Sequence, residues 1–384
     1  MRATHHIHVP TPGELFSPES GSALVTVSRA LGSAQLRAGG QSSVIARAGL
    51  NHRTEPLQLI SACMPDKVWL TRGEAAADRA IGSAIGRWPL TERLWGPLVE
   101  AVPADHEGPV FLHNAPAAAA GLGRRRPRAL PVVVMHNEVV RGWSITARRR
   151  LVRAAAVTCV STFIAERFLP GSAGRGDVLP LVNGADVDLF RPAEREAEPT
   201  VLFVGKVAPH KGPDILLDAV RLLWDEGLRF RTRIVGGAVL SATSELSEFE
   251  RTLRGRAAEL GDAVEFVPFV DRTEISDVYR SATIMVVPSR WDEPCSLTLP
   301  EAMASGLACV ASRRGGLPEV GGDAALYFDP TRVDELASHL RTLLTDDRLR
   351  QERAHAARAR AEAQSWDRQL AVLTDWLEAR TARL

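Results

Sequence analysis

The sequence contains no apolar run long enough to cross a membrane. No stretch of its 384 residues reaches the roughly 18 consecutive apolar residues that a membrane-spanning helix requires. The opening residues, MRATHHIHVP, also lack the basic segment and apolar core of a secretory leader. These absences predict a cytoplasmic protein.

Cysteine is scarce as well, and its four occurrences lie far apart. No two of them form the C-x-x-C pattern of a metal or redox site, and no leader suggests oxidising surroundings. The sequence therefore predicts free thiols, mostly in the core, at Cys63, Cys159, Cys295 and Cys309.

An excess of charge of either sign is also missing. The 47 lysines and arginines and the 46 aspartates and glutamates give a formal net charge of +1, whereas a nucleic-acid-binding domain is normally basic throughout. No nucleic-acid partner is predicted.

One local exception, which we call the basic cluster, has nine arginines and one acidic residue, Glu138, between residues 121 and 153. It indicates either an ordinary solvated face or a peripheral contact with a membrane or a phosphorylated acceptor. Its arginines are Arg124, Arg125, Arg126, Arg128, Arg141, Arg148, Arg149, Arg150 and Arg153.

What the chain does contain is a regular alternation of short apolar, β-branched segments with longer segments of helical periodicity. This pattern is typical of βαβ units and predicts an α/β fold with parallel sheets. The length exceeds the usual ~100–200 residues of one domain, and the charged stretch FRPAEREAEPT is typical of a linker. We therefore predict two doubly wound, Rossmann-like domains facing each other across a cleft. They span residues 1–185 and 186–365, and a last helix at about 366–384 packs back on the first.

Loops that follow strands are candidate binding loops, because such sheets bind ligands beyond the carboxyl ends of their strands. The predicted strands of the first domain are 6–10, 43–47, 109–113, 130–136, 156–161 and 177–182. Those of the second domain are 201–205, 232–236, 264–268, 283–288, 308–311 and 326–328. Helical periodicity is clear at 23–36, 213–224, 246–260 and 333–344.

The first candidate loop is GKVAPHKG, directly after the apolar segment VLFV. Lys206 and Lys211 lie close enough along the loop for both ammonium groups to reach one diphosphate, and Gly205 and Gly212 permit tight turns. Two lysines on a loop are more often simply solvated, so this loop alone is a weak indication.

The second candidate loop is PSRWDEPCSLTLPEAMASG, in which a helix begins. The N–H groups near Ser296, Leu297 and Thr298 would form an anion site at the start of that helix. Carboxylates accept hydrogen bonds from paired hydroxyls, so Glu301 could hold a ribose and Glu293 a hexose on either side of a diphosphate. The alternative is that Glu293 is a loop charge and Glu301 a partner of the helix dipole.

Two further loops offer weaker signals. In SRRGGLPEV, Gly315 and Gly316 allow a ligand to approach the backbone closely, and Glu319 offers an acceptor. In VPFVDR, the backbone around Pro268 could border a flat base.

Taken together, these motifs resemble glycosyltransferase family 4, whose members are retaining enzymes with the GT-B fold. The resemblance rests on VLFVGKVAPHKG, RIVGG, EAMASG, GGLPEV and the seven residues that separate Glu293 from Glu301. The segment NGADVDLFRP resembles the interdomain segment of the family. The likeness covers nearly the whole chain and is strongest in residues 178–330.

The resemblance implies roles for the matching residues of the second domain. Lys206 and Lys211 would bind the donor diphosphate, with Gly205 beside them. Glu293 would contact the donor sugar and Glu301 the ribose.

In the first domain, His136 matches a histidine that lies near the transferred sugar, and Gly21 and Ser22 resemble a glycine-rich donor loop. The predicted catalytic residues are then His136, Lys206, Lys211 and Glu293. The predicted acceptor-binding residues, in loops after strands, are Glu14, His113 and Asn114.

The chain also departs from the family pattern. Ser22 and Gly40 stand where the family often has glycine and histidine, and EPCS replaces a more usual Phe-Gly pair. These departures touch no charged donor contact and bear on the acceptor.

Two patterns resemble metal sites, but neither predicts a metal. Asp186-Val187-Asp188 spells D-x-D, which holds a divalent cation in a different transferase fold, yet here it lies beside the predicted linker. His6 and His8 would share one face of a strand, but no third ligand can be placed, which favours packing or a polar cleft lining. No metal or other cofactor is predicted.

The resemblance implies transfer of a hexose from a nucleoside-diphosphate sugar, UDP by default, with retention of configuration. The acceptor would be a glycan, a lipid-linked glycan or a small metabolite. Two alternatives stay open. A nucleotide-sugar epimerase of the same fold needs no acceptor, whereas a catalytically silent binding protein would not need Lys206, Lys211, Glu293 and Glu301 together.

Overall fold

The chain divides into two compact units. In a computed structural model, the first unit is Met1–Val182 with Trp366–Leu384, and the second is Asn183–Ser365. The sequence-based boundary falls after residue 185 instead of 182. The structure describes residues 4–17, 19, 21–65, 70–85, 88–138, 143–193, 199–238 and 245–382.

The first unit is built on a sheet of seven parallel strands in the order β3-β2-β1-β4-β5-β6-β7. The strands are β1 (His5–Val9), β2 (Gln41–Arg47), β3 (Gln58–Ala62), β4 (Pro109–His113), β5 (Leu130–Met135), β6 (Ala156–Cys159) and β7 (Leu179–Pro180). Central strands such as β5 are nearly continuously apolar and buried, as expected where helices cover both faces of a parallel sheet. Its helices up to residue 168 are α1 (Ala23–Arg37), α2 (Arg72–Ile85), α3 (Pro89–Glu100), α4 (Pro116–Arg125), α5 (Ile145–Ala154) and α6 (Thr162–Phe168).

The second unit has six parallel strands in the order β10-β9-β8-β11-β12-β13. The strands are β8 (Thr200–Val204), β9 (Arg231–Val235), β10 (Val264–Val267), β11 (Ile284–Val287), β12 (Ala308–Ser312) and β13 (Leu326–Phe328). The helices are α7 (Pro213–Asp225), α8 (Glu248–Ala257), α9 (Ile275–Arg280), α10 (Thr298–Ala304), α11 (Leu317–Gly321), α12 (Val333–Thr345) and α13 (Asp347–Ala363). Apolar faces of α7 and α12 share one core cluster with the sheet.

The last helix, α14 (Trp366–Thr381), belongs to the first unit. Leu373 and Leu377 pack in one cluster with Phe111 of β4 and Val132 of β5. An ion pair between Arg37 Nη2 and Asp367 Oδ1, 2.7 Å apart, joins its start to the end of α1. Buried leucines, with the exposed ion pair adding little, therefore hold this helix to the sheet of the first unit.

Among the differences from the sequence-based expectation, those in β3 and α8 have a clear physical reason. Strand β3 was not predicted, because at the sheet edge it pairs only with β2 and most of its side chains are exposed. Strand β7 is two residues long, against a prediction of 177–182. Helix α8 begins after Ser247, whose Oγ accepts a hydrogen bond from Glu250 N at 3.1 Å, and a 3-10 segment, Ala258–Ala263, follows it. The serine cap fixes the start of α8 two residues later than the periodicity indicated.

Two global features concern membranes and thiols. No helix within the described residues combines the length and the apolar character needed to cross a membrane. The four cysteines are free thiols, of which Cys159 and Cys309 are buried while Cys63 is exposed. Core packing thus accounts for Cys159 and Cys309 but not for Cys63.

Candidate active site

The strand order of the second unit fixes where its ligand site lies. The chain proceeds from β8 to β9 and β10 on one side, then crosses to β11 on the other side of β8. Parallel sheets bind ligands at such a switch point, beyond the carboxyl ends of the strands. The loop after β8 carries Lys206 and Lys211, and the loop after β11 carries Glu293. Both predicted donor loops therefore start at the switch point.

Lys211 and Glu293 form an ion pair between these two loops. Lys211 Nζ lies 2.5 Å from Glu293 Oε1, and Ser289 Oγ donates to the same oxygen at 2.7 Å. Only 7% of the Glu293 side chain is exposed, against 25% of Lys211. Within the described residues, Glu293 Oε2 has no hydrogen-bond partner. The pair thus offers a cation to a phosphate and a carboxylate oxygen to a sugar hydroxyl.

A second connection between the loops passes through Arg290. Its N–H donates to His210 O at 2.9 Å, and its guanidinium donates to both carboxylate oxygens of Asp214 at 2.6 and 2.7 Å. The Asp214 carboxylate raises the pKa of Arg290. Arg290 and Asp214 are not among the predicted site residues, because two residues 76 positions apart give no sign in the sequence that they form a bidentate pair.

Gly212 lets the two loops meet. Its φ is +69°, and a Cβ there would lie 2.1 Å from Pro288 O. We expect Gly212→Ala to destabilise the protein by at least ~2–3 kcal/mol, because the left-handed backbone and the steric clash add. The measurement is the urea midpoint of unfolding.

Gly227→Ala is the matched control for this variant. Gly227 also has a positive φ, +90°, but nothing lies within 4 Å of its Cβ position, so only the ~1–2 kcal/mol backbone cost applies. Equal losses for the two variants would show that the contact with Pro288 contributes nothing.

Lys206 has different surroundings from Lys211. It is exposed and has no ion-pair partner in the part of the chain that the structure describes. The backbone beside it is well held, since Gly205 N donates to Val235 O at 3.0 Å and Val207 N to Gly237 O at 3.0 Å. Lys206 is therefore a solvated cation on a fixed backbone.

The start of α10 holds the predicted anion-binding residues. Ser296, Leu297 and Thr298 follow β11 and open this helix. Ser296 Oγ accepts a hydrogen bond from Leu299 N at 3.1 Å, so one of the first N–H groups already has a partner. Phosphate binding here stays a prediction.

Glu301 lies in a buried network. Tyr279 donates its hydroxyl to Oε2 at 3.0 Å, and the Arg272 guanidinium donates to Oε1. Glu301 is 2% exposed and Tyr279 is fully buried; burial and the neighbouring carboxylate raise the pKa of Tyr279. Neither partner is among the residues predicted from the sequence. A ribose hydroxyl would have to share these oxygens, and the predicted contact remains untested.

The third strand-end loop also reaches Glu293. Gly316 N donates to Glu293 O at 2.7 Å, and a Cβ at Gly315 would lie 2.2 Å from the same oxygen. Three loops therefore meet at Glu293. Pro268 lies apart from them in the sheet order, because it follows β10 at the edge and β9 separates it from β8.

In the first unit, three histidines at adjacent strands are hydrogen-bonded. His8 Nδ1 lies 3.2 Å from His113 Nε2, and His113 Nδ1 lies 2.8 Å from His136 Nε2. Burial lowers the pKa of His8 to about 3 and that of His136 to about 4. Burial, then the neighbouring His136 and His8, lower the pKa of His113. All three rings are neutral near pH 7.

The other predicted residues of the first unit follow β1 or β4, which are neighbours at its own switch point. Asn114 has a φ of +52°, and its Oδ1 accepts a hydrogen bond from His136 N at 2.8 Å. Glu14 is half-buried and its N–H closes a turn to Thr11 O. Gly21 is half-buried, and Ser22 is the N-cap residue of α1. Contacts of these residues with ligands stay predictions.

Metal ligation has no support in the geometry of the described residues. They contain no group of three or more histidine, cysteine, aspartate or glutamate side chains arranged to hold a metal ion. In the D-x-D sequence, Asp186 Oδ1 accepts hydrogen bonds from the N–H groups of Asp188 and Leu189. Asp186 thus stabilises a turn.

A family comparison matches the unit that carries this site. Residues 186–360 match the model described as glycosyl transferases group 1. This unit is similar to the group 1 glycosyl transferases. A D-inositol 3-phosphate glycosyltransferase of Streptomyces avermitilis is 32% identical over 221 residues, which cover 53% of this chain and 47% of that protein. Spore coat protein SA of Bacillus subtilis is 26% identical over 283 residues, 67% of this chain and 75% of that protein. The chain spans about half the length of the first of these relatives.

Solved structures resemble both units of the chain. Sucrose-phosphate synthase from Thermosynechococcus elongatus has a TM-score of 0.71 at 18% identity, covering 99% of this chain and 100% of that one. Anabaena HepE in complex with UDP and glucose has a TM-score of 0.66 at 16% identity, covering 97% and 99%. With the two parallel sheets, this likeness confirms the predicted α/β, GT-B fold with two Rossmann-like domains.

Most of the basic cluster has local partners. Arg124, Arg125 and Arg128 pair with glutamates, while Arg126 and Arg148 donate to backbone carbonyls. Arg141 lies outside the described residues. The remaining members, exposed on α5, are Arg149, Arg150 and Arg153. Any peripheral membrane contact, which stays a prediction, would rest on these three.

Proposed function

We propose that this chain is a retaining glycosyltransferase of family 4 that needs no metal or other cofactor. It transfers a hexose from a nucleoside-diphosphate sugar to a glycan, lipid-linked or small-metabolite acceptor. The observation that carries the proposal is the Lys211–Glu293 pair at the switch point of a unit that is similar to the group 1 glycosyl transferases. UDP is the favoured nucleotide because the solved neighbours include a protein in complex with UDP and glucose.

The proposed chemistry places positive charge where the leaving group gains negative charge. The acceptor hydroxyl oxygen attacks the anomeric carbon from the face that the diphosphate leaves. The bond between that carbon and the phosphate oxygen breaks, and the hydroxyl proton passes to the leaving phosphate. Lys211 and Lys206 would stabilise the negative charge that develops on the leaving diphosphate. Electrostatic stabilisation of this kind is often the largest single contribution to catalysis.

The remaining residues position the sugar. Glu293 Oε2 accepts from a sugar hydroxyl, while Lys211 and Ser289 hold the other oxygen of the carboxylate in place. His136 is neutral, because burial lowers its pKa to about 4. It orients the sugar and leaves the proton transfer to the phosphate.

A thermal-shift panel of UDP, GDP, ADP and dTDP, each with and without common sugars, tests the donor site. A ligand at 100 times its Kd adds ~2.7 kcal/mol, which corresponds to a rise in Tm of about 5–10 °C for a domain of this size. We expect one nucleoside diphosphate to give such a rise and the matching nucleoside, without phosphates, to give none. An unchanged Tm with all four would contradict the proposal.

The responding nucleotide then separates transfer from the two alternatives. A transferase releases nucleoside diphosphate faster when an acceptor panel is added, whereas an epimerase converts the sugar without an acceptor. A silent binding protein would show the rise in Tm and no turnover with any acceptor.

A further inference from the structure

His8, His113 and His136 form one continuous hydrogen-bonded series, which we call the histidine chain. It crosses β1, β4 and β5, which are neighbours in the sheet, and ends at the residue that follows β5. His8 and His113 are fully buried, and His136 is 8% exposed. The histidine chain therefore connects the interior of the sheet with its ligand-binding edge.

The two ends of the histidine chain differ. His8 Nε2 is buried and has no hydrogen-bond partner in the described part of the protein. His136 Nδ1 likewise has no protein partner among the described residues, but it belongs to a residue beyond the carboxyl end of a strand, where ligands bind. A ligand can therefore complete the hydrogen bonding at His136 only.

Only two arrangements of the protons are possible. Each neutral imidazole has one N–H and one lone pair, and each of the two contacts needs one N–H. The three N–H groups must then all point the same way along the chain. Either they point outward, which leaves a lone pair on His8 Nε2 and an N–H on His136 Nδ1, or they point inward, which leaves an N–H on His8 Nε2.

The buried end decides between the two arrangements. An orphaned buried N–H is rarer in proteins than an acceptor short of a partner. At the outer end both arrangements are acceptable, because a sugar hydroxyl can donate or accept. The outward arrangement is therefore the stable one.

We infer that His8 and His113 are positioning residues that fix His136 as the Nδ1–H tautomer, so that it presents a neutral hydrogen-bond donor to an oxygen of the bound sugar. The identity of the recipient rests on the proposed function. The tautomer follows from the histidine chain alone. This arrangement also leaves His136 Nδ1 without a free lone pair, so that it cannot take the proton of the acceptor hydroxyl.

Long-range 1H–15N correlation on protein labelled with 15N-histidine reads the tautomers directly. We expect all three residues to show the Nδ1–H form near pH 7, although free imidazole side chains favour Nε2–H. The signal that disappears in the variant His136→Gln is assigned to His136. A His136 signal of the Nε2–H form would overturn the inference.

His8→Met tests whether the buried end sets the direction. The methionine sulfur is a weak acceptor and cannot donate, so an N–H on His113 Nε2 would gain a partner and the inward arrangement would lose its penalty. We expect the His136 signal then to shift towards the Nε2–H form. His6→Met is the control, because His6 is a buried neighbour on the same strand that makes no hydrogen bond to the histidine chain. A single, unchanged tautomer in His8→Met would overturn the positioning role.

Kinetics separate this inference from the proposed function. In His8→Met we expect kcat to fall by up to about tenfold, with the KM for the sugar nucleotide within about twofold, since the hydrogen bond from His136 to the sugar is lost more in the transition state than in the ground state. We expect His6→Met to keep both constants. If the wild type shows the Nδ1–H tautomers but transfers no sugar, the proposed function fails and the tautomer assignment stands.

Discussion

Replacing Lys211 by methionine is expected to lower kcat/KM for the nucleotide sugar by ~10²–10³, the usual effect of removing one preorganised group that stabilises charge in a transition state. The same change removes the partner of Glu293, whose side chain is only 7% exposed. Leaving a buried charge unpaired costs up to ~3–5 kcal/mol. Ser289 still donates to Glu293 Oε1, so we expect the lower end of that range.

The double variant Lys211→Met/Glu293→Gln separates catalysis from stability. The neutral amide needs no counter-ion, so we expect the double variant to regain most of the lost free energy of unfolding while kcat/KM stays low. The single variant Glu293→Gln completes the double-mutant cycle. The measurements are urea unfolding and release of nucleoside diphosphate with the sugar nucleotide that the panel selects.

Lys206→Met is the matched control for Lys211→Met. Lys206 is exposed and has no ion-pair partner among the residues described, so its loss should reduce turnover without changing the free energy of unfolding. Full turnover in Lys211→Met would remove Lys211 from the donor site. A double variant as unstable as Lys211→Met would show that the unpaired Glu293 is not the cause of the instability.

The sequence predicts the fold well where strands are buried on both faces. The segment LPVVVM is nearly continuously apolar because β5 lies between β4 and β6 with helices on both sides. QLISA, which forms β3, carries no such pattern, because an edge strand with exposed side chains needs neither an apolar run nor strict alternation. Burial is the physical signal, and it is weak at the sheet edge.

The loops of the candidate site were predictable, but their contacts were not. Glycines and charges directly after apolar segments indicate loops at the carboxyl ends of parallel strands. The partner of Lys211 lies 82 residues away, and the partners of Glu301, Arg272 and Tyr279, lie 29 and 22 residues away. Such pairs depend on which strands are neighbours, and the local periodicity of the sequence does not reveal the strand order.

The histidine chain shows the same limit. The sequence indicates His113 and His136 separately, and strand periodicity places His8 with His6 on one face of a strand. The order β1-β4-β5 brings His8 and His113, 105 residues apart, within hydrogen-bond distance. Without the crossover that brings the chain back from β3 to β4, beside β1, there is no reason to connect them.

The free energy of unfolding is expected to fall steeply as the pH drops from 6.5 towards 4. Burial, and for two of them a neighbouring histidine, lowers the folded-state pKa of His8 to about 3 and of His6 and His136 to about 4, from an ordinary value of 6.5. The unfolded chain therefore binds more protons in this interval. The stability is fully present above the unfolded pKa and is lost as the pH falls towards the folded values.

The expected slope is large because several histidines contribute together. Each one adds ~1.4 kcal/mol per pH unit between its two pKa values, so three give ~4 kcal/mol per unit. A domain with ~5–15 kcal/mol of stability would then unfold near pH 4–5. His113, whose pKa is lowered well below 6.5, and the partly buried His5 and His106, whose pKa values are also lowered, act in the same direction.

Carboxylates with lowered pKa values contribute little to the change in unfolding free energy between about pH 7.5 and 4.5. The lowered pKa values of Glu226, Asp271, Asp329 and Asp334 start from 4.5 or 3.8, so any stability they contribute is lost only at lower pH. Urea titrations at several pH values between about 7.5 and 4.5 thus report mainly on histidines.

Variants show which histidines produce the pH dependence of the unfolding free energy. His8→Phe should lower it by ~1.4 kcal/mol per pH unit, and His6→Phe/His8→Phe by about twice that, whatever the change in stability near neutral pH. The slope, unlike the absolute free energy, is insensitive to lost packing. An unfolding free energy that stays constant from pH 7 to 5 would mean that these rings take up protons as readily in the folded protein as in the unfolded chain, and burial would then not lower their pKa values.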